Sequence, residues 1–153
     1  MAADAQNFAD EINALHPSTW AGILGLHVVR ANRDEVVAEV TVRPEHHQPH
    51  GIVHGGVHAS IIESVASIGA AIDSMGQNKT VVGLENHTSF VRAVREGKLL
   101  ATAKPLTRGR RTQLWEVAIV DAHEKLVATG RVRLLVMDGE ADVAGAALGV
   151  KPA

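Results

Sequence analysis

The sequence predicts an α+β domain in which one mostly antiparallel sheet curls around a single long helix. From Gly55 to Ile72 there is neither a proline nor a period-two alternation, and Val57, Ile61, Val65, Ile68 and Ile72 recur at spacings of four, four, three and four. The other strongly patterned segments are rich in β-branched residues and separated by short, turn-like breaks. Two strands, one helix and then four strands do not make alternating βαβ units, so the strands belong to one antiparallel sheet. The helix is apolar nearly all round and is therefore expected to be buried.

Each element has its own signal. Residues 4–15 suit a short amphipathic helix, with Phe8, Ile12 and Leu15 at helical spacing, Asp4 as N-cap and Pro17 as the stop. Ile23–Val29 and Glu35–Val42 read as strands of a hairpin turning at Asn32-Arg33-Asp34. Residues 44–53 form a loop punctuated by Pro44, Pro49 and Gly51. Strands are expected over 80–91, 98–106, 112–121 and 126–136. The tail 138–153, rich in Ala and Gly, is expected to be loosely ordered. The 153 residues form one domain, with its core at about 20–137 and neither an internal repeat nor a linker.

Composition removes several classes of function. Fifteen Lys and Arg against 17 Asp and Glu give a net charge of −2, which provides no global pull toward nucleic acid or anionic lipid. The absence of cysteine excludes disulfides, thiolate metal sites and cysteine nucleophiles. Met1-Ala2-Ala3-Asp4 has no basic, apolar leader character, and no apolar stretch is expected to reach the roughly 20 residues of a membrane helix. The expectation is a cytoplasmic protein with no nucleic-acid or membrane partner.

Within residues 55–72 the only formal charge is Glu63. Ala59, Ser60, Ala66, Ser67 and Ala70 surround it on the helix, a small-residue setting that admits a ligand or another backbone. Ser67, four residues on, is placed to donate a hydrogen bond to the carboxylate. The helix opens with His54-Gly55-Gly56, so its first amides are free of side-chain cover and lie at the positive end of the helix dipole. Such amides suit an oxyanion or a polarised carbonyl oxygen. Gln48 and His54 in the preceding loop can orient a carbonyl or a water. Gly55 and Glu63 are eight residues apart, roughly 12 Å along a helix axis. One reacting carbon cannot lie within contact of both in the same chain, so joint action requires a homodimer with two equivalent sites.

These stretches resemble the hotdog-fold acyl-CoA thioesterases, in particular the branch acting on 4-hydroxybenzoyl-CoA, phenylacetyl-CoA and 1,4-dihydroxy-2-naphthoyl-CoA. The resemblance is carried by His47-Gln48-Pro49, Gly51-Ile-Val-His-Gly-Gly56, Glu63 and Ser67. Val82-Gly83, Asn86-His-Thr-Ser-Phe-Val-Arg92, Glu96-Gly97, Gly109-Arg110 and Gln113-Leu-Trp115 extend it. It implies a sheet wrapped around the central helix, dimers that pair into a homotetramer, and hydrolysis without a metal or separate cofactor, coenzyme A being part of the substrate. By resemblance Glu63 is the catalytic carboxylate, as nucleophile or general base, and the Gly55 amide binds the thioester oxygen. Gln48 contacts the thioester, His54 orients its surroundings, and Ser67 positions the carboxylate or water. His87 and Phe90 fall among the implied substrate contacts. The sequence departs from relatives that carry a histidine near Phe90 and a proline near Ala93.

Between Arg92 and Arg111 seven basic side chains face only Glu96. Arg92, Arg108 and Arg110 are the expected contacts for the phosphates of coenzyme A. His46, His47, His50, His54 and His58 do not read as a metal site, because Pro49, Gly51 and the Gly55-Gly56 pair prevent one continuous helix through them. Two other functions fit a hotdog chain: an enoyl-CoA hydratase or dehydratase, and a non-catalytic acyl-CoA sensor. The His-Gly-Gly motif, with Glu63 nine residues after His54, speaks for the hydrolase.

Overall fold

The computed structural model describes residues 6–148. Two short helices, α1 (Ala9–Leu15) and α2 (Trp20–Leu24), precede the strands β1 (His27–Ala31) and β2 (Val36–Thr41). The long helix α3 (Gly55–Met75) follows, then β3 (Lys79–Phe90), β4 (Lys98–Arg108), β5 (Thr112–Val120) and β6 (Leu126–Asp138). The six strands form one sheet in the order β1-β2-β4-β5-β6-β3, with every pairing antiparallel. This is the predicted class, a hotdog fold.

The sheet buries one face against α3. Leu99, Ala101 and Ala103 on β4 alternate with more exposed neighbours, as do Trp115, Val117 and Ile119 on β5. They meet Ile61, Ile62, Val65, Ala66 and Ala70 of α3. Each large side chain withdrawn from water in this way contributes about 1.5–3 kcal/mol. The buried face of α3 is narrower than the sequence predicts. Ile61 and Val65 are fully buried, but Val57, Ile68 and Ile72 are half-buried at its margin. The opposite face, with Ala59, Ser60, Glu63, Ser64 and Ser67, is also half-buried, because the sheet covers only one side.

Four expectations are corrected. The segment predicted as a strand from Ile23 is helical to Leu24 and ends at Gly25, whose left-handed φ of 70° closes α2 before β1 begins at His27. The first helix starts at Ala9, and Asp4 lies outside the described residues. Asn7 takes the capping part there, its Oδ1 accepting from the amides of Ala9 at 3.2 Å and Ala31 at 2.9 Å. The tail is partly structured: Asp142–Val143 pairs with Ala146–Ala147 around Ala144 and Gly145, both at positive φ as a tight hairpin turn requires. Finally, α3 has 21 residues and a mean hydropathy of 1.3, long and apolar enough by length and composition to cross a membrane. It runs three residues past the end that the sequence predicts, and here the helix serves as the core of the sheet.

Two local devices position the site. His54 caps α3, its Nδ1 accepting from the Gly56 amide at 2.8 Å while its carbonyl accepts from Val57 at 2.9 Å. In β3, Gly83 pairs with Leu134 and Glu85 with Arg133, so Leu84 is an extra residue, a β-bulge. Positions 83 and 86 would face opposite sides of a regular strand. The extra residue brings both to the side of α3.

Candidate active site

The loop ahead of α3 is tightly tied. Gln48 accepts from Gly51 through its carbonyl and from the His50 amide through Oε1, at 2.9 and 2.7 Å. The Arg95 guanidinium donates to the carbonyls of His50 and Gly51, both at 3.0 Å. His47 Nε2 lies 2.7 Å from the Arg95 carbonyl. This frame sets Gln48 beside the start of α3. There the amides of Gly56 and Val57 are satisfied by His54, which leaves the Gly55 amide without an acceptor among the described residues. Glycine here leaves room for the Phe90 ring where it now stands, since a Cβ on residue 55 would lie 2.7 Å from its Cζ.

Gln48, Gly55, Phe90 and Arg92 line one cavity of about 250 Å³, together with Ile52 and His58. The sequence reading brought the first four to one substrate and treated His58 only as a metal candidate. His58 is 3% exposed, and its Nδ1 is buried without a hydrogen-bond partner. Burial holds the imidazole below its ordinary value of 6.5 and so favours the neutral ring.

Glu63 lies in a different cleft, with Trp20, Ala59, Ser60, Ser64 and Asn86. Its Oε2 accepts from Asn86 Nδ2 at 3.0 Å, and the same amide group donates to the Ala59 carbonyl at 3.0 Å. Asn86 Oδ1 accepts in turn from the Thr88 hydroxyl at 2.7 Å. The partner anticipated for this carboxylate, Ser67, makes no hydrogen bond to it. Gly83 leaves room for the other oxygen, because a Cβ there would come within 2.4 Å of Glu63 Oε1. Asn86 and Gly83 were not singled out as partners of Glu63 from the sequence. The usable signals were an asparagine inside a strand, where it is disfavoured, and a glycine whose absent side chain marks a close approach.

The remaining candidates lie apart. His87, on the face of β3 away from Asn86, borders a depression with Glu85, Leu114, Arg131 and Arg133. Arg108 and Arg110 border another with Asp73, Lys79 and Gln113. Arg108 is already engaged, 2.6 Å from Asp34 and 3.8 Å from Asp73. Among the described residues no group of three or more His, Asp or Glu side chains is placed to hold a metal ion.

Comparison with known proteins gives this geometry a context. The thioesterase superfamily pattern matches residues 50–128, which include the start of α3, Glu63 and Asn86. A 1,4-dihydroxy-2-naphthoyl-CoA hydrolase of Listeria monocytogenes is 35% identical over 113 residues, covering 74% of this chain and 91% of that protein. The Escherichia coli enzyme of the same name is 30% identical over 128 residues, covering 84% and 93%. Among solved structures, the thioesterase HI1161 of Haemophilus influenzae superposes with a TM-score of 0.81 at 30% identity, over 90% of this chain and 96% of that one. The chain therefore belongs to the thioesterase superfamily, a family of thioester hydrolases.

Proposed function

We propose that this protein hydrolyses an acyl-CoA thioester with an aromatic or similarly bulky acyl group, in a site shared by two copies of the chain. The observation that carries the reading is the division of the machinery. The unpartnered Gly55 amide and the Glu63 carboxylate stand on one helix but open into two separate clefts. A two-fold axis setting two α3 helices antiparallel brings one copy's Glu63 opposite the other's Gly55. The long edge strand supports such pairing: β3 spans 12 residues, pairs among the described residues with β6 alone, and exposes Leu84.

In that arrangement the thioester oxygen accepts from the Gly55 amide, at the positive end of α3, and Gln48 steadies the group. Glu63 either removes a proton from the attacking water or attacks the carbonyl carbon itself. Charge gathers on the oxygen, the Gly55 amide stabilises it, and collapse breaks the C–S bond and releases the coenzyme A thiolate. Where Glu63 is the attacker, water then hydrolyses the mixed anhydride to free the acid and restore the carboxylate. Asn86 holds the carboxylate in place. Arg92 at the cavity wall and Arg110 beyond it are available to phosphates. The names of the Listeria and Escherichia relatives support an aromatic, hydroxylated acyl group.

The test is thiol release across aromatic, branched and straight-chain acyl-CoAs, with aromatic substrates expected to give the highest kcat/KM. No hydrolysis across the panel, with coenzyme A esters still bound, would replace the enzyme by a sensor.

Gly83→Ala gives a second expectation. The new methyl meets the end of a flexible side chain, so the Glu63 carboxylate swings away while the fold accommodates it. Turnover should fall about 10²-fold, as for a catalytic group displaced by about 1 Å. The melting temperature should stay within about 2 °C of wild type, as for a change outside the core. Thermal melts and steady-state kinetics on one preparation check both.

A further inference from the structure

The mechanism leaves unused the most deeply buried titratable side chain of the site. His58 lies one turn past Gly55 on α3 and lines the same cavity as Gln48, Gly55 and Phe90. It is 3% exposed, its Nδ1 is buried with no partner, and its Nε2 makes no hydrogen bond among the described residues. Buried polar atoms in folded proteins are nearly always paired, so an imidazole with neither nitrogen engaged is a site awaiting a partner. Among the described residues the cavity lining contains no carboxylate, its side chains besides His58 being those of Gln48, the apolar residues and Arg92. The Phe90 ring stands 6.3 Å from the imidazole, centre to centre, tilted by 41°.

We propose that His58 is a specificity-determining residue, whose imidazole hydrogen-bonds a hydroxyl group on the acyl portion of the substrate, while Phe90 packs on its apolar body. The inference rests on the thioesterase reading and deepens it by assigning the residue that selects the acyl group. In a neutral imidazole Nδ1 is a donor or an acceptor according to the tautomer, and a hydroxyl is the small group that can answer either. A carboxylate substituent could only accept from this nitrogen, and burial disfavours the imidazolium that would pair with it. A site built around a hydroxyl rejects the analogue lacking it, because the buried Nδ1 is then left without a partner.

The experiment compares 4-hydroxybenzoyl-CoA and 2-hydroxybenzoyl-CoA with benzoyl-CoA in wild type, His58→Phe and His58→Gln. In wild type, kcat/KM for at least one hydroxylated substrate should exceed that for benzoyl-CoA by tenfold or more. His58→Phe should reduce that ratio to within about twofold of unity, and His58→Gln should restore part of it. Dissociation constants of the same three esters on Glu63→Gln protein measure the recognition without turnover. A ratio unchanged in His58→Phe, or equal affinities of the three esters for Glu63→Gln, overturns the assignment. Absence of turnover in wild type, with hydroxyl-dependent binding retained, would instead defeat the hydrolase reading and leave His58 as the recognition residue. Thermal melts of both His58 variants confirm that folded protein is compared.

Discussion

Replacing Glu63 by Gln should lower kcat by roughly 10²–10⁴-fold, the contribution of a well-placed general base. The carboxamide matches the carboxylate in shape, and its oxygen can still accept from Asn86, so the fold and the association of chains should survive. What disappears is the capacity to take a proton or to attack. A variant that kept wild-type turnover would remove Glu63 from the chemistry. The complementary lesion is Gly55→Pro. Proline is tolerated at the first position of a helix and carries no N–H, so it deletes only the donor assigned to the oxyanion. His54, at φ −65° and ψ 136°, already has the extended backbone that a following proline requires. The ring would press on Phe90, which is 62% exposed and free to turn aside. Loss of such a donor costs roughly 10²–10³-fold.

The two lesions together test the shared site. In a heterodimer of Glu63→Gln with Gly55→Pro, one site carries both defects and the other carries neither. Random pairing of equal amounts should therefore restore roughly one quarter of wild-type activity, although each variant alone is nearly inactive. A mixture no more active than its components would show that each chain works alone. Single-turnover hydrolysis in ¹⁸O-water separates the two roles of Glu63: unlabelled oxygen from the carboxylate entering the product acid marks a covalent acyl-enzyme.

Gly69→Ala is expected to have the largest effect on stability. Gly69 is buried on α3, and a Cβ there would lie 2.4 Å from both Cη2 and Cζ3 of the Trp115 ring. That ring cannot retreat easily. It is fully buried, and its Nε1 donates to Gln113 Oε1 at 2.8 Å. Gln113 in turn donates to Asp73 Oδ2 at 3.0 Å, close to the end of α3. Either the helix moves off the sheet or a buried hydrogen bond lengthens. Overpacking of this kind costs about 1–3 kcal/mol, or roughly 2–12 °C in melting temperature for a chain of this size. Melts followed by tryptophan fluorescence and by circular dichroism would measure it. An unchanged transition would mean that the layer between helix and sheet yields more readily than its packing implies. The contrast with Gly83 is instructive, since there the crowded atom ends a mobile side chain and here it belongs to a ring walled in by core.

Much of the fold was legible because its signals are local. The absence of proline and the spacing of Ile61 and Val65 identify the long helix, and β-branched runs between turn residues identify the four later strands to within two residues at each end. Glu63 was legible as the lone charge on that helix, and the Gly-Gly pair as its open start. α2 was not, because Trp20 to Leu24 is too short to display a period. The cue lay in the flanks, with Thr19 at the N-cap position and Gly25 at the end. The bond from Asn86 to Glu63 joins residues 23 positions apart, and no pattern within a strand reports such a contact. His58 had no role in the sequence for a related reason: among neighbouring histidines the only question it raised was a metal set, which the glycines and proline exclude, and its isolation becomes visible only once the chain is folded.

The bulge at Leu84 has a consequence for how this chain can vary. Gly83 clears space for one oxygen of the Glu63 carboxylate and Asn86 binds the other, so both must keep facing α3 while the bulged Leu84 is free to change. Swapping Leu84 for another side chain alters little at the carboxylate. Deleting it would leave Gly83 and Asn86 two positions apart on one face of a regular strand. Regular pairing with Leu84 retained would instead turn Asn86 to the far side of the sheet and leave the acid unheld, so this stretch must either keep its bulge or lose one residue.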